Sequence, residues 1–226
     1  MHFLITGHTG FKGAWLSLIL QQRGHLVSGI SLQPEVGSLY ERAEIGKFLE
    51  NDIRCDIRES GKLALHFNEI IPDVIIHLAA QALVRESYKN PVTTFETNVI
   101  GTLNVLEVTK NLTPKATLII TTDKVYKNRN HLRGYVESDE LGGDDPYSAS
   151  KAASDHFVRA YHDTYGMPVV LSNCSNNYGP NHFPEKLIPL AIFNMRNNKP
   201  VPVYGTGENV RDWLFVEVHA RAIDTI

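Results

Sequence analysis

The chain opens on Leu4-Ile5-Thr6-Gly7-His8-Thr9-Gly10-Phe11-Lys12-Gly13, an apolar run that passes through three glycines, spaced by three, into an amphipathic stretch. A strand, a tight turn and a helix in direct succession satisfy that pattern, and each glycine has its own task. Gly7 makes the turn, Gly10 removes the side chain that would strike a bound phosphate, and Gly13 lets helix and strand pack. The helix beginning near Phe11 then turns unpaired N–H groups and the positive end of its dipole toward an anion. A dinucleotide is the expected ligand. A second strand follows at 25–31, the context that gives such a triplet its meaning. It ends in Ser31-Leu32-Gln33, without the acidic residue that would grip the adenosine ribose and without an adjacent arginine for a 2′-phosphate. The reading leans to NAD over NADP.

Strand and helix then alternate. A short strand and turn at 52–57 precede a helix at 59–70, and the continuous apolar run 73–80 suits a strand buried on both faces of a parallel sheet. Pro91 starts a long helix that ends near Leu112, where Asn111 and Pro114 supply stop signals. Another buried strand is expected at 116–121, a helix at 146–166 and a strand at 167–173; 33–51 has no clear period. The fold class is α/β, a Rossmann-like doubly wound parallel sheet. Residues 1–173 form the NAD-binding domain that carries the catalytic residues. Beyond Asn173 the texture becomes rich in Asn, Pro and Gly, the start of a smaller substrate lobe over 174–226 laid across the strand ends, with strands able to return to the main sheet. The sequence stops within an apparent helix, so this lobe is expected to be incomplete.

Composition narrows the partners. A formal charge of −3 over 226 residues, with no basic run, argues against nucleic acid and acidic membranes. Cys55 and Cys174 offer neither a disulfide framework nor metal spacing, and both read as inert reduced thiols with no metal expected. Signal peptide and membrane span are both absent from the pattern, which makes the cytoplasm the default.

Tyr147 and Lys151 lie four apart, one turn of the expected helix, on one face. A tyrosine with a pKa of about 10 is a poor base at neutral pH; a lysine cation one turn away favours the phenolate and brings that value down. Thr121-Thr122-Asp123-Lys124 follows the strand at 116–121 and emerges at its carboxyl end, where sites of this fold are built. Hydroxyl, carboxylate and amine thus converge on a dinucleotide's reactive end, a set suited to redox-linked proton transfer.

Gly7-His8-Thr9-Gly10-Phe11-Lys12-Gly13, His77-Leu78-Ala79-Ala80 and Tyr147-Ser148-Ala149-Ser150-Lys151 together resemble the extended short-chain dehydrogenase/reductase family, and within it the nucleotide-sugar 4,6-dehydratases. The first part, with Gln81-Ala82-Leu83-Val84-Arg85-Glu86-Ser87-Tyr88 and Asp123-Lys124-Val125-Tyr126, is similar to the branch acting on CDP-glucose. The later part, with Asn173-Cys174-Ser175-Asn176-Asn177-Tyr178-Gly179-Pro180, His182-Phe183-Pro184-Glu185-Lys186-Leu187-Ile188-Pro189 and Val210-Arg211-Asp212-Trp213, is similar to the branch acting on dTDP-glucose.

The resemblance implies that Tyr147 takes the proton of the sugar's 4-hydroxyl while NAD takes hydride from C4. Lys151 holds the ribose and supports the phenolate, and Thr122 hydrogen-bonds the C4 oxygen. Asp123 protonates the departing 6-hydroxyl, and the returned hydride at C6 leaves a 4-keto-6-deoxy sugar with the cofactor regenerated and tightly retained. Lys124 departs from the glutamate of the dTDP branch; it is expected to remove the C5 proton, the alternative being that it stabilises the enolate as a cation. The match also assigns Gly7, Gly10, Phe11, Lys12 and Gly13 to the pyrophosphate, Asp56 and Ile57 to adenine, and Leu78, Ala79, Ala80 and Thr97 to the neighbourhood of the dinucleotide. Asn176, Lys186, Leu187, Pro202, Val203, Tyr204 and Arg211 are assigned to the nucleotide-sugar substrate, Arg211 as a planar fork for diphosphate. Val218 departs from the family's usual Asp. A homodimer through the helices at 91–112 and 146–166 is implied as well. Two other readings stay open: an epimerase of the same family, and a non-catalytic NAD-binding scaffold.

Overall fold

The computed structural model describes residues 1–129, 132–203 and 205–226. Its centre is a 6-stranded sheet in the order β3-β2-β1-β4-β5-β6. The strands are β1 (His2–Thr6), β2 (Leu26–Ser31), β3 (Asn51–Arg54), β4 (Val74–His77), β5 (Ala116–Ile120) and β6 (Val169–Ser172). All neighbours pair in parallel. The chain runs from the middle to one edge, returns, and builds outward to the other edge. Strand order therefore reverses between β1 and β4, where such sheets open a crevice beyond their carboxyl ends. Thr6 stands opposite Ile30 on one side and His77 on the other, so the loops leaving β1 and β4 emerge together.

The helices are α1 (Phe11–Gln22), α2 (Leu39–Arg42), α3 (Ser60–Ile70), α4 (Val84–Lys89), α5 (Pro91–Phe95), α6 (Thr102–Lys110), α7 (Pro146–Tyr165), α8 (Leu187–Arg196) and α9 (Val216–Ile223). Successive strand residues face opposite sides. Ile5, Ile76 and Leu118 pack with Leu16, Ile19 and Leu20 of α1 on one face. Leu4 and Ile75 pack with Leu63 and Phe67 of α3 and Val105 of α6 on the other. Each such burial contributes about 1.5–3 kcal/mol, which explains why these strands read as unbroken apolar runs.

Three stretches differ from the sequence reading in detail. The helix expected over 91–112 is α5 and α6 joined by a π-helical turn, Glu96–Gly101. The segment without period folds into α2 and a 3₁₀ turn, Ile45–Phe48, whose Tyr40 and Ile45 bury against Ala14. Four-residue elements are too short to display a period. β4 ends at His77, and the chain then forms α4, which no pattern announced.

After β6, β7 (Asn176–Tyr178) and β8 (Trp213–Phe215) pair in parallel as a sheet of their own. Ala220 and Ile223 of α9 enter the core beside Ile19 and Leu20 of α1, and Arg23 at the end of α1 pairs with Asp224. No helix among the described residues is long and apolar enough to cross a membrane.

Candidate active site

The glycine loop has the geometry its residues require. Gly7 sits at φ +80°, and a Cβ there would lie 2.7 Å from Ala79 N; one on Gly13 would lie 2.3 Å from Gly7 O. Loop, helix and the exit of β4 are therefore in backbone contact. Gly10 N donates to Gly7 O at 3.1 Å, and Ala14 N to Gly10 O at 2.8 Å. Among the described residues no side chain caps the start of α1, which leaves its first N–H groups for an anion. These residues fit a dinucleotide pyrophosphate. Phe11 is buried and stacks on His182 at 4.4 Å between ring centroids.

His8 points under the loop. Its ring lies where a Cβ on Gly29 would sit, and its Nε2 bonds Asp52 Oδ1 at 2.8 Å. Asp52 also accepts from Arg54 at 2.5 Å, and Arg54 donates to the Tyr40 hydroxyl at 3.2 Å. Burial opposes ionisation of Asp52, but hydrogen bonds from Arg54, Tyr40 and His8 outweigh it and hold the carboxyl below its ordinary value. This cluster props the loop, a role no sequence pattern disclosed. Of the expected adenine residues, Asp56 is gripped by the Arg58 backbone at 2.9 Å and by its guanidinium at 2.7 Å. It borders an open depression with Arg58, Glu59, Glu96 and Ile100. Ile57 turns its side chain into the core.

Leu78, Ala79 and Ala80 leave β4 beside Gly7, with Leu78 N donating to Thr6 O at 3.0 Å. Half-buried Thr97 lies on the π turn. Its neighbour Asn98, unremarked in the sequence, accepts from Gln81 N at 2.8 Å and donates to Ser150 Oγ at 2.9 Å, tying the β4 exit to α7.

Asp145 caps α7, accepting from Ser148 N at 2.9 Å, with Pro146 at the first turn. That start aims Tyr147 and Lys151 at the end of β5. Lys151, 3% exposed, donates from Nζ to Ile120 O at 3.0 Å. Burial foremost pushes its ammonium down to about 8, helped by Lys12 and opposed by Cys174 and Asp155. Tyr147 corrects an expectation. Its phenol is held above its ordinary value, because burial, with Cys174, Asp123 and Asp145 adding to it, outweighs the hydrogen bond with Thr122.

Thr122 leads from β5 into a 3₁₀ turn, Asp123–Val125, and donates to Asp123 Oδ1 at 3.0 Å. Lys124 Nζ stands 6.0 Å from the centre of the Tyr147 ring. Cys174 is a free, buried thiol with partners that the sequence did not indicate. Its Sγ accepts from Lys12 Nζ at 2.7 Å, and its carbonyl accepts from Asp123 N at 3.0 Å. The structure thus gathers Lys12, Thr122, Asp123, Lys124, Tyr147, Lys151 and Cys174 at the carboxyl ends of β1 and β5.

The substrate set is gathered only in part. Lys186 is half-buried and held below its ordinary value by burial, with Lys124 and Lys12 pushing the same way and Glu185 opposing. Asn176, on β7, donates to Asp212 O at 3.3 Å. Pro202 is half-buried, whereas Leu187, Val203 and Arg211 are exposed, Arg211 donating to Val210 O at 2.8 Å. Tyr204 lies outside the described residues. His219 was also missed; it is buried on α9, with Nδ1 2.6 Å from Asn177 Oδ1.

Known proteins share this sequence and fold. The family model described as GDP-mannose 4,6 dehydratase matches residues 4–226. A dTDP-glucose 4,6-dehydratase of Salmonella typhimurium is 40% identical over 246 residues, covering 100% of this chain and 68% of its own length. The crystal structure of dTDP-glucose 4,6-dehydratase from Bacillus anthracis in complex with NAD superposes with a TM-score of 0.89 at 34% identity, covering 100% of this chain and 71% of that one. A UDP-glucuronic acid 4-epimerase from Bacillus cereus, in complex with UDP-glucuronic acid and NAD, reaches a TM-score of 0.89 at 26% identity, over 99% of this chain and 72% of that one.

Proposed function

The chain belongs to the GDP-mannose 4,6 dehydratase family, and from that premise we propose that it is an NAD-dependent hydro-lyase that converts a nucleotide-activated glucose to its 4-keto-6-deoxy derivative. The observation that carries the reading is the meeting of Tyr147 and Lys151 with Thr122-Asp123-Lys124 beside the Gly7–Gly13 cradle. An oxidoreductase needs the first pair, whereas elimination of water also needs an acid for the leaving hydroxyl and a base for C5.

When bound, NAD supplies a hydride acceptor for C4, a donor for C6 and a positive ring whose charge favours the phenolate. Tyr147 accepts the 4-hydroxyl proton while Thr122 hydrogen-bonds the C4 oxygen. The resulting ketone acidifies the C5 proton, which Lys124 removes. Asp123 gives its proton to the 6-hydroxyl, which leaves as water; as C6 takes back the hydride, Lys124 returns its proton to C5, and the proton that Tyr147 took from the 4-hydroxyl passes through solvent to restore Asp123. Lys151 favours the ionised phenol through its charge. Lys186 and Asn176 serve the nucleotide sugar, with Pro202, Val203, Tyr204, Leu187 and Arg211 completing its site.

We propose further that the protein is a cytoplasmic homodimer. Val92, Phe95, Ile100 and Tyr165 leave apolar surface exposed on the helices that would meet in a four-helix contact, and sedimentation as a monomer at micromolar concentration would refute the dimer. The catalytic reading is tested by incubating the protein with dTDP-glucose and CDP-glucose separately and weighing the products. Loss of one water from either supports a dehydratase. Unchanged mass with inverted C4 stereochemistry would make it an epimerase, and no reaction would leave a scaffold.

A further inference from the structure

A carboxyl that the reaction above does not use stands one helical turn behind Lys151. Asp155 follows Lys151 by four residues and Tyr147 by eight, so the three side chains stack along one face of α7. It is 0% exposed. Its Oδ2 accepts from Asn173 Nδ2 at 2.7 Å, and the same amide nitrogen donates to Thr121 Oγ1 at 2.6 Å. Asn173 Oδ1 in turn accepts from the Tyr126 hydroxyl at 3.0 Å. The other carboxyl oxygen, Oδ1, has no hydrogen-bond partner among the described residues.

A buried carboxylate with an unpaired oxygen is unfavourable by itself, and so is a buried ammonium whose protein partner is one carbonyl. Set one turn apart, each opposes part of the other's cost, while burial still holds the Asp155 carboxyl above its ordinary value and the Lys151 ammonium below. The charged and titratable groups acting on Lys151 are Asp155 on its own helix, Lys12 from α1 and Cys174 after β6, and Lys151 in turn acts on His77 of β4. Asp155 is the carboxylate among them. Those acting on Asp155 are Lys151 and, more weakly, Arg159, which is exposed and so screened by solvent; Asp155 also acts on Tyr126.

We propose that Asp155 is the counter-ion of Lys151, a positioning residue that acts on the reaction through that lysine, with Asn173 fixing where its carboxyl stands. Lys151 loses its proton as pH rises through about 8. Without the negative charge behind it, the lysine loses that proton at lower pH, and the phenolate of Tyr147 loses its cationic support earlier. Asn173 links this pair to Thr121, next to the Thr122 hydroxyl, so the charge behind the lysine and the end of β5 keep one register.

The kinetic test rests on the dehydratase reading. In holoenzyme, the pH profile of first-turnover C4 oxidation, followed by nicotinamide absorbance, is measured for Asp155→Asn and Asp155→Glu. Asp155→Asn should move the alkaline limb down by roughly one pH unit with KM unchanged, and Asp155→Glu should restore it; an unmoved limb in Asp155→Asn overturns the proposal. A second measurement needs no turnover and no stable Asp155 variant. Infrared spectra at neutral pH should show no protonated-carboxyl band from this site in the wild type, and Lys151→Met should create one by removing the cation. A band already present in the wild type, or none in Lys151→Met, overturns the counter-ion. Absence of turnover in the wild type would refute the dehydratase reading and leave the infrared result to decide Asp155.

Discussion

Replacing Gly7 by alanine tests whether the loop is shaped by close approach or by backbone hand alone, because the molecule contains its own control. Gly7 and Gly24 both sit at φ +80°. A Cβ on Gly24 meets nothing within 4 Å, whereas one on Gly7 would lie 2.7 Å from Ala79 N and 2.8 Å from Ala79 Cα. Both substitutions incur the left-handed penalty of about 1–2 kcal/mol, reduced by about 0.4–1 kcal/mol through a stiffer unfolded chain. Gly24→Ala should therefore destabilise by about 1 kcal/mol. Gly7→Ala adds an overpacking cost of about 1–3 kcal/mol, because the atoms it strikes are backbone and cannot swing aside. In a protein of this size, about 1 kcal/mol lowers Tm by roughly 2–4 °C. Gly24→Ala should lose a few degrees by differential scanning calorimetry and Gly7→Ala roughly 10 °C.

The second readout is the dinucleotide. Relief of the Gly7 clash requires Ala79 to move away from the loop, and Ala79 lies on the expected cofactor wall. If about 1.4 kcal/mol of the strain appears in binding, Kd for NAD rises about tenfold, whereas Gly24, at the far end of α1, should leave it unchanged. Calorimetric titration with NAD measures both. Equal destabilisation by the two alanines, or wild-type NAD affinity in Gly7→Ala, would refute the close-approach argument.

Two further outcomes follow from the site. Lys124→Ala should still oxidise C4, visible as a burst of nicotinamide reduction, but release water at least about a hundredfold more slowly, the general acid–base contribution being about 10²–10⁴; unchanged product formation by mass spectrometry removes Lys124 from the mechanism. Stability should fall as pH drops from about 6.5 toward 4. His77 is held down to about 3, and His182 and His219 to about 4, by burial foremost. In that window the unfolded chain binds protons that the native state refuses, so unfolding free energy decreases with falling pH; a denaturant midpoint flat from pH 7 to 4.5 would contradict it.

The parallel sheet was legible because its strands are buried on both faces: Leu4, Ile5, Ile75 and Ile76 leave no room for an alternating pattern. The glycine loop was legible because backbone contact admits no other residue. What escaped notice depends on distant partners. His8 looked like a loop residue until Asp52, Arg54 and Tyr40 closed around it. Asn98 gained its place from a π turn that aims its amide between Gln81 and Ser150, and helix periodicity carries no sign of such a turn. The Tyr147–Lys151 spacing was read correctly as one face of a helix, yet the direction of the phenol's shift was not. Spacing reports that a cation is near; it does not report how much protein surrounds the oxygen, and burial is the larger influence here.

The same distinction bears on the mixed resemblance of the two halves. Lys12 belongs to the stretch that is similar to the CDP-glucose branch, and Cys174 to the stretch that is similar to the dTDP-glucose branch, 162 residues away. In the folded chain they touch, Lys12 Nζ donating to Cys174 Sγ at 2.7 Å. The two stretches are therefore coupled in space, and both press on the same lysine: Lys12 lowers the pKa of Lys151 while Cys174 raises it. A cation brought in by the first half of the chain is held by the sulfur of Cys174 from the second and opposed at Lys151 by a carboxyl from the helix between. It follows that substitutions at positions 12, 155 and 174 should not be additive, since Lys12 and Asp155 set the charge around one buried ammonium and Cys174 fixes where the Lys12 amine stands.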